Sequence, residues 1–271
     1  MSTGRNPQAE QMADESMLRT LTAQAEAIWP QEQAWFARYG EPRRIADIGC
    51  GSGEITSRLA ARYPGAEIVG VDILESSAAY ARQRYASLAP RVQFQQGDAF
   101  ELKFPEHHFD LVVCRHMTQS VPEPEKIFAE LFRIARPGGW LHVLSEDYGM
   151  LQMPAGTVDP DRLWYEGVIA FTRSTHTDAR IGRRTWSIMN RLGLQDLHVD
   201  YVIVDTLRVP RQTFGTIIEA WRDGYTDVIA QHTQLTRAEV RELFDHSINT
   251  ILDPQHYAVW QIPVVSGHKR P

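Results

Sequence analysis

Cysteine is scarce in this 271-residue chain: only Cys50 and Cys114 occur, each inside an apolar, strand-like run. That excludes a disulfide framework and points to a reducing compartment. No Cys/His spacing of a zinc site is present, so no metal is expected. Basic residues are also short, since 28 Lys and Arg against 34 Asp and Glu leave a formal charge of -6. A surface that draws its affinity from neutralising phosphates is not expected from that balance. Apolar runs are brief, and none approaches the roughly 18 residues a membrane helix needs. The polar amino terminus, MSTGRNPQAEQMADE, lacks the apolar centre of a signal peptide. No Gly/Ser or Pro linker divides the chain, and no internal repeat is visible. The expectation is a soluble, cytoplasmic protein with a small-molecule partner, neither nucleic acid nor membrane, and compatible with a homodimer. The first dozen residues are expected to be partly disordered.

What is present, at 43% hydrophobic residues, suffices for a well-cored fold. Met17, Leu18, Leu21, Ala25, Ile28 and Trp29 recur at three- and four-residue steps, which predicts an amphipathic helix ending near Pro30. Short apolar runs then alternate with helical patterns: RRIADIG, a helix from Glu54, AEIVGVD, a helix from Ser76, RVQFQQGDAF, FDLVVCRH, a helix from Pro124 stopped by RPGG, and WLHVLSED. Such alternation predicts a parallel sheet with helices on both faces. Beyond Glu146 the pattern changes to an aromatic-rich segment read as an inserted cap, with a helix opened by Asp159 and Pro160. A helix over about 179–192, the run DLHVDYVIVDT, two further helices and HYAVWQIPVV close the chain, and Thr236 with Glu239 reads as a capping box. The two late strands are expected to pair antiparallel at the sheet edge.

The most informative stretch is IADIGCGSGEITSRLA, with Gly49, Gly51 and Gly53 at alternate positions. A dinucleotide turn reads G-x-G-x-x-G and places a pyrophosphate at the helix start. Here the last pattern position is Glu54, whose carboxylate would repel that ligand, and Asp47 adds a second acid. DIGCGSGE resembles the first motif of the class I S-adenosylmethionine-dependent methyltransferases. VGVDI with Asp72, the segment GDAFELKFPEHHFDLVVCRH with Asp98, and ELFRIARPGGWLHV follow in the order and spacing of that family. The resemblance covers roughly 43–145.

It implies a Rossmann-like, doubly wound, mostly parallel α/β sheet of seven strands with helices on both faces, an antiparallel edge strand, an N-terminal helical lid over residues 1–40 and a domain over 41–271 with cap insertions near 147–179 and 208–254. It implies S-adenosylmethionine as cofactor, held by Asp47, Gly49, Cys50, Gly51, Gly53, Asp72, Ile73, Asp98, Ala99 and Arg115. In that reading Asp72 receives the ribose hydroxyls, Asp98 and the Ala99 backbone address the adenine, and Arg115 lines the methionine end. Cys50 and Cys114 read as small buried side chains, not nucleophiles.

Ligands of open α/β sheets lie beyond the carboxyl ends of the strands. Residues after the fourth and fifth strands, His116, Glu146 and Tyr148, are therefore the catalytic candidates, His116 first because imidazole suits acid–base work near neutral pH. Trp29, Trp164 and Tyr165 are candidate acceptor contacts, since aromatic faces attract a desolvated cation such as a sulfonium. Phe171 and Trp186 are read as core. After the fourth strand stands CRHMTQSVP, without the Asn-Pro-Pro-Tyr or Pro-Cys of base and glutamine methylation. This resembles the branch acting on quinones and natural products. A lyase that cyclises the cofactor's own aminobutyrate chain to give methylthioadenosine, and a non-catalytic binding module, are the alternatives. A nicotinamide dehydrogenase is disfavoured by the glycine spacing.

Overall fold

A computed structural model describes residues 6–271. Residues 1–5, part of the segment expected to be disordered, lie outside the described residues, and within that segment α1 (Ala9–Met12) is helical. Helix α2 (Glu15–Glu32) starts on Asp14, whose side chain accepts from the Ser16 amide. It does not end at Pro30. The helix carries the proline through, and Gln33 N–H still reaches the Trp29 carbonyl at 2.9 Å. Pro30 removes a single intrahelical bond, and it does so on an exposed face.

The strands are β1 (Arg44–Ile48), β2 (Glu67–Asp72), β3 (Val92–Gln96), β4 (Phe109–Arg115), β5 (Ala135–Leu144), β6 (Leu151–Gln152), β7 (Gln195–Asp205) and β8 (Val259–His268). They form one eight-stranded sheet in the order β3-β2-β1-β4-β5-β8, with β7 along one side of β8 and the two-residue β6 against the start of β8. The first five strands are parallel, and β8 runs antiparallel to β5, β6 and β7. The eighth strand beyond the seven expected is β6, too short to leave a periodic signal. The antiparallel pair stands at the edge as expected, with β8 one place in and β7 outermost.

Strand alternation distributes side chains between two faces. Ala46, Ile48, Val112, Cys114, Leu141 and Val143 pack against α5 (Pro124–Ile134) and α7 (Gly182–Arg191). Ile45, Ile68, Phe94, Leu111 and Val113 pack against α3 (Glu54–Arg62), α4 (Glu75–Arg84) and the Phe36 turn. A third core lies in the cap. It joins α2, a π-helical turn (Leu163–Val168) running into α6 (Ile169–Ser174), α8 (Arg211–His232), α9 (Arg237–Leu252) and the inner side of β7 and β8. The Thr236–Glu239 capping box is formed, with the Thr236 amide donating to Glu239 at 2.8 Å. Phe171 is buried as expected, but Trp186 is 42% exposed. The buried stripe of α7 is Thr185, Ile188 and Met189, which turns position 186 outward.

Candidate active site

Past the carboxyl ends of β1, β2 and β4 lies a cavity of about 810 Å³. The glycine turn forms its floor. Gly53 ends the turn at φ 80°, a left-handed conformation that side chains rarely take, and a Cβ there would lie 2.8 Å from the Phe94 ring. Gly51, at φ 51°, lets the loop pass beneath α2, where a Cβ would lie 2.8 Å from Leu21. Its amide donates to Asp72 Oδ2 at 2.9 Å, while the Leu74 amide donates to Asp72 Oδ1 at 2.9 Å. Asp72 is thus locked in place with acceptor capacity left toward the cavity. Burial raises its carboxyl, and these backbone donors pull it back.

Asp47, Gly49, Cys50, Gly51, Asp72, Ile73, Asp98, Ala99 and Arg115 all line this cavity. Gly53 shapes the turn without facing it. Asp98 receives the Phe100 amide at 2.9 Å. Burial drives the Cys50 thiol well above its ordinary range, aided by the Asp47 and Asp72 charges, which disfavours its thiolate. The lining carries five carboxylates, Asp47, Glu54, Asp72, Asp98 and Glu101, against Lys103 and Arg115. Such a wall suits a cationic ligand with hydroxyls and opposes a pyrophosphate.

Arg115 is itself committed. Its Nε donates to Glu32 Oε1 at 2.9 Å, with Nη2 at 2.8 Å from Oε2. Glu32, fully buried at the end of α2, also meets His142 Nε2 at 2.8 Å, and His142 Nδ1 meets the Tyr39 hydroxyl at 2.6 Å. Burial pushes the Glu32 carboxyl up, but Arg115 and His142 outweigh it and hold it at about 2. Asp47, Arg115 and His142 share one sheet face because each stands an even number of residues from Ile45, Leu111 or Trp140 in its strand, or in register with one that does. Asp47 accepts from the Thr56 hydroxyl at 2.6 Å, and burial lifts its carboxyl to about 6 against that bond and the Arg115 charge.

His116 follows β4 with φ 52°, an uncommon backbone state for a residue with a side chain. Its Nδ1 is hydrogen-bonded to Glu146 Oε1, after β5, and the pair is almost entirely buried. A second, smaller cavity of about 70 Å³ lies on the other side of His116, lined by Tyr148, Trp164, Phe171, Trp221, Tyr225 and Phe244 among others. His116 thus stands in the wall shared by the two cavities. Tyr148 lies in the second cavity, where burial and then the Glu146 charge drive its hydroxyl well above the ordinary range. Trp164 is there as expected. Trp29 and Tyr165 are not: Trp29, on α2, packs its ring at a tilt against Phe36 with centroids 5.3 Å apart, and Tyr165 is 50% exposed in the π-helical turn. Glu32, Thr20 and Gln119 were missed, because nothing local in the sequence says which distant element they meet. Among the described residues no cluster of His, Cys, Asp and Glu is placed to hold a metal ion. Nor is any helix among them long and apolar enough to cross a membrane.

Sequence comparison agrees with this geometry. Residues 46–143 match the family described as "Methyltransferase domain". A demethylmenaquinone methyltransferase of Thermus thermophilus is 35% identical over 126 residues, 46% of this chain and 57% of that protein. Phosphoethanolamine N-methyltransferase 2 of Haemonchus contortus, solved with phosphomonomethylethanolamine and S-adenosylhomocysteine, superposes with a TM-score of 0.56 at 21% identity, covering 90% of this chain and 53% of that one. Geranyl diphosphate C-methyltransferase of Streptomyces coelicolor gives 0.56 at 14% identity, covering 89% and 78%. Residues 46–143 thus resemble a methyltransferase domain in sequence, and the chain shares the fold of these solved methyltransferases. The matches span only about half the length of the curated relatives, at 57% and 52% for the first two.

Proposed function

We propose that the protein transfers the methyl group of S-adenosylmethionine to a small-molecule acceptor of quinone-like or secondary-metabolite type. The observation that carries this is His116, paired with buried Glu146 in the wall between an acidic cavity and an aromatic one. The sulfonium supplies an electrophilic methyl group. In the acidic cavity Asp72 offers acceptors to the ribose hydroxyls, Asp98 and Ala99 face the adenine, and the floor of Gly49 and Gly51 takes the amino-acid end beside Asp47. Arg115, held by Glu32, contributes the positive charge at that end. In the second cavity the acceptor meets His116. Since the Nδ1 proton is engaged by Glu146, the Nε2 lone pair is free to take a proton from the acceptor. Within the proposed lid segment 1–40 the described residues from 6 onward cover the site, and the insertions at 147–179 and 208–254 form the cap within the 41–271 domain; both exclude water from the reacting groups.

Mass spectrometry of purified protein with S-adenosylmethionine, alone and with a panel of phenolic and quinol acceptors, tests this. S-adenosylhomocysteine should form only when an acceptor is added, and His116→Ala should lower turnover about 10²- to 10⁴-fold while product binding persists. Turnover of the cofactor alone to methylthioadenosine would replace the proposal with a cofactor-consuming lyase.

A further inference from the structure

Of the buried side-chain atoms without a hydrogen-bond partner among the described residues, five belong to residues that line the small aromatic cavity. They are Thr20 Oγ1, His116 Nε2, Gln119 Oε1, Glu146 Oε2 and Trp164 Nε1. Buried polar groups are nearly always paired in native proteins, and each exception disfavours the fold unless something else satisfies it. Five such atoms on the lining of one cavity of about 70 Å³ give it donors and acceptors that a polar ligand could satisfy.

Their chemistry restricts that ligand. Trp164 Nε1 can only donate, so the ligand must bring an acceptor there. Glu146 Oε2, Gln119 Oε1 and His116 Nε2, whose ring proton is on the Glu146 side, accept, so the ligand must bring a donor. Thr20, on α2, serves either way. No lysine or arginine lines the cavity, and Glu146 is a buried carboxylate. An anionic head group would lose its hydration without meeting a cation. A purely cationic head has donors only and leaves the Trp164 N–H unsatisfied. The cavity is about half the roughly 150 Å³ that accommodates a benzene ring. Only the reacting end of a larger acceptor therefore enters, with the remainder passing toward the larger cavity that shares Met12, Met17, Leu21 and Gln24.

We infer that this cavity selects an uncharged head group carrying a hydroxyl beside a carbonyl, as in an acyl phenol or hydroxyquinone, and that Thr20, Gln119 and Trp164 are its specificity-determining residues. The inference rests on the proposed methyl transfer only for the identity of the cavity as the acceptor site.

Binding can be measured without turnover, on the full chain saturated with S-adenosylhomocysteine and labelled with ¹⁵N at the indoles. The probes are 2′-hydroxyacetophenone (uncharged), salicylate (the carboxylate counterpart) and benzylamine (a cation). The uncharged probe should move the Trp164 indole N–H resonance, assigned by its loss in Trp164→Phe, and should bind at least about tenfold more tightly than the other two. Thr20→Val, Gln119→Leu and Trp164→Phe should each weaken it about three- to tenfold. The same variants should leave S-adenosylhomocysteine affinity intact and melt no earlier than the parent, because each removes a group that is unpaired in the fold. Failure of the uncharged probe to bind, tighter binding of salicylate or benzylamine, or variants that lose several degrees of Tm with unchanged probe affinity would each overturn the inference. Selective binding without any methyl transfer would instead refute the proposed activity and leave the selectivity standing.

Discussion

Two buried carboxylates with opposite pH behaviour flank the cofactor cavity. Glu32 is held at about 2 by Arg115 and His142. It contributes stability above its unfolded value near 4.5, and that contribution is lost as pH falls through about 2. Glu32→Gln strands the buried Arg115 charge and should cost on the order of 3–5 kcal/mol in urea denaturation. Asp47 is raised to about 6 by burial, so its contribution is complete below about 4 and is lost as pH rises through about 6. Asp47→Asn keeps an acceptor for Thr56 and abolishes that loss. It should equal the parent in stability at pH 4 and exceed it by on the order of 2 kcal/mol at pH 8. A constant difference across that range would show that Asp47 does not titrate there.

At the level of elements, the His116–Glu146 wall depends on how helices meet strand ends. Gly182 opens α7 against Ser145 and Glu146, which follow β5, with its amide donating to the Glu146 carbonyl at 2.9 Å. A Cβ there would lie 2.5 Å from the Ser145 carbonyl oxygen and 2.9 Å from that of Glu146. Neither is a side chain that can rotate away, so Gly182→Ala should cost about 1–3 kcal/mol and displace Glu146 from His116, lowering turnover more than cofactor binding. Helix α2 is anchored at one end by Glu32, while Met17, Leu21 and Gln24 roof both cavities. Hydrogen exchange in residues 15–24 should therefore slow when S-adenosylhomocysteine binds, with residues 28–36 unaffected. Equal slowing along the whole helix would show that it moves as a unit and has no fixed end.

At the scale of the molecule, the β/α series and the glycine turn were legible because their signals are local: two-residue and 3.6-residue periods, and a turn whose spacing and Glu54 argue against a pyrophosphate. The sequence also pointed to His116 and Glu146 through their places after β4 and β5. What stayed hidden depends on long-range placement. Glu32 meets Arg115 from 83 residues away, and Thr20 reaches the aromatic cavity only because α2 packs along α8. Trp29 and Tyr165 misled because an aromatic residue near a site looks the same in sequence whether its ring faces a ligand, a neighbouring ring or solvent. Trp186 shows the same limit on α7, one position from a buried stripe.

Under the proposed function, S-adenosylmethionine and its product lie in the acidic cavity anchored by Asp72. Calorimetric titration with S-adenosylhomocysteine tests it directly. Binding is predicted in the micromolar range, roughly -8 kcal/mol, with a loss of at least about 100-fold in Asp72→Ala and no comparable binding of NADH. Tight NADH binding with no response to S-adenosylhomocysteine, in a parent protein that is folded by circular dichroism, would contradict the account.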